Sequence, residues 1–420
     1  MSPELNSQLV PAALAFEPVP AELVGVCSAE ALPVEPVETP ELTPRPSCGE
    51  STAVRPISGK QFSLLRLVAS TIEWLMGAAA LIVGLSFLAT YPILQMLSLG
   101  YLLEASGRVA RTGRLRDGFV GVRKAARVGS VVFGAWLVML PLRFTSAMAG
   151  AAKLIEPGSR ADRGWSAALT LLTVLTVAHI VGACWRGGRL RHFLWPRPIR
   201  LLRDLFQRGA YTRTRDATWQ FVVSLRLPYY FWLGLRGFVG GLLWLFLPIS
   251  LMASGTKAPL LGFIGALWLM GVLLYLPFVQ TRFAAENRFR AMFSVRGARQ
   301  WFRRAPVMFW LSLVGTLLFA LPLYLLKIEI VPREAAWLPS LLFVVFIFPA
   351  RLLTGWSCGY AARRPRNRNW FLRQLARLAM IPVVAFYVFL VFFTQYTSWH
   401  GVASLYEQHA FLVPVPFLGL

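Results

Sequence analysis

Apolar residues in this chain gather into long runs, and short stretches rich in arginine divide one run from the next. None of the runs alternates with a period of two, which argues against strands. Crossing a hydrocarbon core about 30 Å thick takes about 20 apolar residues in a helix. Eight runs meet that length, at approximately 74–96, 129–150, 165–185, 237–255, 259–281, 306–326, 337–357 and 378–398. Lipid offers no hydrogen-bond partner to bare backbone, so such spans are helices, whose peptide groups pair within the segment. The pattern predicts an all-α, polytopic transmembrane helix bundle of about eight spans.

Charge then orders the spans. The odd-numbered connections hold 30 Lys and Arg residues and the even-numbered ones hold six. Basic loops stay on the cytoplasmic side. The odd loops are therefore expected in the cytoplasm and both termini outside, in a bacterial inner membrane. One stretch leaves a choice. Ser63 to Leu103 is 41 mostly apolar residues, about 60 Å as a helix, too long for one upright span. Either a single span is followed by an amphipathic surface helix, or a hairpin brings the amino terminus inside.

An internal repeat favours the single span. Pro92-Ile93-Leu94-Gln95 resembles Pro277-Phe278-Val279-Gln280, 185 residues later, and Gly134 to Leu142 resembles Gly315 to Leu323, 181 residues later. These matches suggest a parallel 4+4 repeat, with residues 61–256 holding spans one to four and 257–420 holding spans five to eight. If Pro92 and Gln95 close the first span as Pro277 and Gln280 close the fifth, then Met96 to Arg111 is a surface helix. Gly237, Gly240 and Gly241 make a small-residue face on the fourth span, as Gly77 and Gly84 do on the first, and such faces let helices approach closely. Prolines in or near most spans read as kinks.

Residues 1–60 differ from the rest, with ten prolines, eight glutamates and three basic residues. Such a segment gains little from ordering and reads as a disordered acidic tail, a spacer or an arm for a protein partner. The net charge of +24 would suggest nucleic acid. Here the charge sits in loops between spans, so orientation accounts for it and no nucleic-acid partner is expected.

Chemistry is sparse. The four cysteines form no CxxC pair, the four histidines do not fall at ligand spacing, and no acid–base pair, nucleophile elbow or P-loop occurs. No catalytic residue, cofactor or metal is expected. His179 is the one ionisable residue well inside a span, a candidate intramembrane polar site, though a hydrogen-bonded interior histidine accounts for it more simply. Arg143, Arg236 and Arg351 lie near span ends, where long side chains snorkel. Two loop segments interleave arginine with apolar residues as interfacial amphipathic helices do. One carries Arg200 and Arg203, the other Arg288, Arg290 and Arg299. These five are candidate contacts for anionic phospholipid headgroups. The functional expectation is a structural, interaction or assembly component of the membrane. The alternatives are a transporter or permease with a site between the halves and, less favoured, a membrane enzyme acting on lipid.

Overall fold

The computed structural model describes residues 59–195, 209–325, 337–398 and 401–406. The acidic tail and the Arg200–Arg203 segment lie outside them. The described residues are helical, with no strand among them. The long helices are α1 (Gly59–Thr90), α2 (Gln95–Thr112), α3 (Val122–Ile155), α4 (Arg160–Trp185), α7 (Leu227–Ala253), α8 (Pro259–Glu286), α10 (Pro306–Leu325), α11 (Trp337–Ala362) and α12 (Trp370–Thr397). Shorter ones are α5 (Leu190–Leu194), α6 (Ala210–Ser224) and α9 (Val295–Arg304). Among the described residues, eight helical stretches are long and apolar enough to cross a membrane, and they fall on the eight apolar runs. The fourth, Thr212–Thr256, joins α6 and α7. The protein is an integral membrane protein of the all-α class.

Helix α2 departs from expectation. Met96 to Arg111 was to be a surface helix, yet α2 is buried on nearly every side, with Leu102, Leu103, Ala105 and Val109 at 0% exposure. It packs against α1, α7, α8 and α11. Glycine makes this possible. A Cβ on Gly107 would lie 2.7 Å from the Ala284 carbonyl carbon in α8, and one on Gly359 of α11 would lie 2.8 Å from the Ala110 oxygen. A Cβ on Gly100 would overlap the Tyr230 carbonyl of α7, and one on Gly234 would overlap that of Met96. Backbone thus meets backbone on three sides of α2, the close approach that small residues allow. The expectation fails because the stretch is too polar for a membrane span by hydropathy, and polarity in a short helix looks the same facing water or facing other helices.

The chain turns at Tyr91–Leu94, where Pro92 breaks the helix, and α2 leads back. The direction of α1 follows from its neighbour α3. The Trp74 ring lies 5.0 Å from Phe119. Gly77 faces Val122 and Ala126, and Ala80 faces Gly129. Numbers rise together along both helices, so α1 and α3 run parallel. Consecutive parallel helices need a return between them, and α2 is that return. The entry to α1 therefore shares one end of the bundle with the arginine-rich connection 113–121. This is the hairpin, not the single span, and it corrects the expectation that the amino-terminal end lies opposite the arginine loops.

Two connectors at that end share a backbone path. Gly113 (φ 72°, ψ 8°) and Asn287 (φ 51°, ψ 30°) end α2 and α8 in the left-handed region. Arg114 and Arg288 follow in extended form, then 3-10 turns at Leu115–Gly118 and Phe289–Phe293. Phe119 (φ −82°, ψ 69°) and Ser294 (φ −84°, ψ 72°) close them. The equivalent residues stand 174 or 175 apart, not the 181 and 185 of the matched peptides. Pro277, moreover, sits inside α8 while Pro92 sits in the break, so those two peptides do not end equivalent helices.

Candidate functional site

Polar side chains in the bundle concentrate around α2, in two groups. The first is centred on Glu104, which is 5% exposed. Its Oε1 accepts from Arg111 at 2.7 Å, with Arg108 at 3.9 Å, and its Oε2 accepts from the Tyr229 hydroxyl at 2.9 Å. The other arm of Arg111 donates to the carbonyls of Ala284 and Ala285, both at 3.1 Å. Those carbonyls belong to the last turn of α8, where helix oxygens lack partners and the dipole is negative. One carboxylate and one guanidinium thus tie α2, α7 and α8 together.

The same device recurs at this end of the bundle. Arg363 donates to the Thr112 carbonyl at the end of α2 at 2.7 Å, and Lys124 to that of Ser224 at the end of α6 at 2.7 Å. Arg236 bonds Asn287 at 2.8 Å and lies over the rings of Trp232 and Phe283. Part of the basic charge in the odd loops therefore closes helix ends.

The second group lies deeper. Arg351 of α11, expected to snorkel from a span end, is instead 3% exposed and donates to Gln280 of α8 at 2.7 Å. Thr281 and Thr354, each adjacent in helical register, bond at 3.3 Å. On α2, Gln95 and Ser98 are also buried. Gln95 Oε1 and Ser98 Oγ make no hydrogen bond to any described residue. Since α2 and α11 run parallel, with Ser106 beside Gly355 and Ala110 beside Gly359, Ser98 sits near the level of Ile347 to Arg351.

His179 is not in this seam. It is half-buried on α4, and its Nε2 lies 2.8 Å from the Phe193 carbonyl of α5. Arg186 donates to the His192 carbonyl at 2.9 Å, and Phe193 is buried against Gly134 of α3. These contacts fasten α5 beneath the α3–α4 pair. Arg288, Arg290 and Arg299 are exposed. Arg143 is exposed, as is Glu73 at the start of the first span. Sequence reasoning passed over Glu104 and the depth of Arg351. The available signal was a carboxylate followed by arginine four and seven positions on, flanked by Gly100 and Gly107 within one helix.

No group of three or more His, Cys, Asp or Glu among the described residues is placed to hold a metal ion. Set against family models, curated proteins and solved structures, the chain matches none of them.

Proposed function

We propose that this chain is a structural or assembly component of a bacterial inner membrane, a rigid platform built around α2. The observation that carries the reading is the glycine packing at Gly100, Gly107, Gly234 and Gly359, which sets α2 backbone to backbone against three neighbours. A helix so gripped leaves no room on those faces for a solute path, and it moves only if all three contacts part together. The ties from Arg111 and Arg363 reinforce the grip. A protein partner through the acidic tail belongs to this reading.

In this arrangement the arginine-rich connections face the cytoplasm. The entry to α1 lies there too, and the carboxyl terminus lies outside. The repeat belongs to this reading as a tandem duplication of residues 61–256 and 257–420, supported by the two like connectors that follow α2 and α8.

A permease is the competing reading, and Gln95 Oε1 with Ser98 Oγ favours it, since buried polar atoms near a buried arginine can mark a solute site. Cysteine accessibility separates the two. In a chain whose native cysteines are replaced, Ser98→Cys and Ser106→Cys are exposed to a hydrophilic maleimide in sealed vesicles of either orientation. The platform predicts no labelling of either position. Labelling of Ser98→Cys from either side rejects the platform and supports the permease.

A further inference from the structure

We propose that the outer face of α9, with Arg377 of α12 beside it, is a headgroup site for an anionic phospholipid. This inference is independent of the platform reading. In α9 (Val295–Arg304), Gly297 and Ala298 are buried and Trp301 and Phe302 half-buried, while Arg296, Arg299 and Arg303 are exposed. At about 100° per residue these three arginines fall in a stripe about 60° wide. The helix is thus amphipathic in the manner of an interfacial segment, its apolar side on the bundle and its guanidinium side turned outward.

Two of the guanidinium groups are held in place. Arg299 lies 5.6 Å above the Tyr275 ring of α8 and donates from Nε to its hydroxyl at 3.3 Å. Arg377 lies 5.6 Å above the Phe302 ring of α9. A ring beside a guanidinium restrains it without using up its N–H donors, and a planar fork with donors to spare suits a phosphate. Phe302 and Arg299 sit about 60° apart around α9, so the ring that holds Arg377 borders the arginine stripe.

Helix length sets them on the headgroup side of the bundle. Helix α8 has 28 residues, about 42 Å against a core of about 30 Å. Its last turns emerge from the hydrocarbon on the side of α9, and Tyr275, about 17 Å before the helix end, lies about 10 Å below that boundary, from where the long Arg299 side chain extends toward the headgroups. Charge is the other argument. Residues 287–306 and 363–380 contain twelve arginines and no Asp or Glu. The nearby Glu286 is engaged by Arg282 at 2.6 Å. Without a counter-charge of its own, this face attracts the lipid phosphate that the membrane supplies at that depth.

The test uses the full chain reconstituted in vesicles of phosphatidylcholine with a minority of phosphatidylglycerol, then extracted gently and weighed intact with its retained lipids. The wild type is expected to retain phosphatidylglycerol in preference. Arg296→Gln/Arg299→Gln/Arg303→Gln is expected to lower that preference at least about tenfold. Arg114→Gln/Arg116→Gln/Arg123→Gln removes three exposed arginines from the same end of the bundle and is expected to leave it unchanged. Equal loss in both triple variants would mean a diffuse field and overturn the site, as would no loss in the first. Displacement of the retained lipid by millimolar inorganic phosphate would overturn the assignment to lipid. Should the first triple variant melt early in detergent, the single exposed Arg299→Gln carries the same prediction at about threefold.

Discussion

The grip on α2 can be measured at Gly100. Alanine there needs a Cβ that overlaps the Tyr230 carbonyl oxygen, and that sits 2.7 Å from the carbonyl carbon and 2.9 Å from the Gly234 nitrogen. Ordinary contact begins at 3.4 Å; the carbonyl carbon alone asks for 0.7 Å, and the overlapped oxygen asks for more than twice that, so α2 and α7 must part by well over 1 Å. A gap of that size forfeits roughly half or more of the attraction along the interface. No rotamer relieves it, because the obstacles are backbone. Overpacking of this kind costs about 3 kcal/mol. Alanine's better helix propensity returns about 1 kcal/mol, for a net loss of about 2 kcal/mol. Gly84 is the control. It lies in α1, and a methyl group added there would meet nothing within 4 Å, so Gly84→Ala retains the propensity gain alone, about 1 kcal/mol. On the unfolding entropy per residue of globular proteins, Gly100→Ala melts about 3 °C below the wild type and Gly84→Ala about 1 °C above it. Thermal unfolding in detergent, followed by monodispersity on a sizing column, reads both. A Gly100→Ala protein that melts at or above the wild type, or two variants shifted alike, refutes the packing argument.

Four further outcomes follow from single contacts. Glu104→Ala lowers stability by about 2 kcal/mol, discounted because Arg111 is half-exposed and can turn to water; Glu104→Gln keeps an acceptor for Tyr229 and costs less, both read as thermal midpoints. Gln280→Leu removes a hydrogen bond from the buried Arg351 guanidinium and costs about 2 kcal/mol by the same assay. His179→Ala frees the Phe193 carbonyl and speeds amide exchange in residues 190–194, while the global midpoint moves by less than about 1 kcal/mol; protection unchanged at α5 contradicts the role given to His179. Cysteines at Gly59 and Arg116 react with a membrane-impermeant maleimide from one side and a cysteine at Gly158 from the other; opposite reactivity of the first two rejects the α1–α2 hairpin.

The eight spans were legible in the sequence because crossing a membrane is a local requirement. Length and apolarity of one run decide it, and no partner is consulted. The amphipathic segment read around Phe283–Phe302 was legible only in part: its arginine and apolar positions interleave, but the chain divides it between the end of α8, a 3-10 turn at Phe289–Phe293 and α9. The matched peptides that suggested a repeat do not end equivalent helices, since apolar residues substitute freely for one another and short matches arise by chance. The like backbone angles at Gly113 and Asn287 could not be read from such matches, because a left-handed helix end is set by local geometry and not by apolar composition.

The place of α2 was beyond reach of any local pattern. Its serines, glutamate and arginines describe a helix that needs polar company, and a headgroup layer or neighbouring helices satisfy that need equally well. Only the tertiary structure chooses, through Gly100, Gly107, Gly234 and Gly359, which bring three backbones close enough to exclude lipid and supply hydrogen bonds from Tyr229 and the end of α8. Burial of Glu104 and Arg351 follows from that choice. So does the end of the bundle at which α1 begins, because one added return reverses everything before it. Sequence determined eight apolar spans; packing added α2 to the bundle and decided which polar groups lie at its centre, since burial is a property of neighbours and not of a residue.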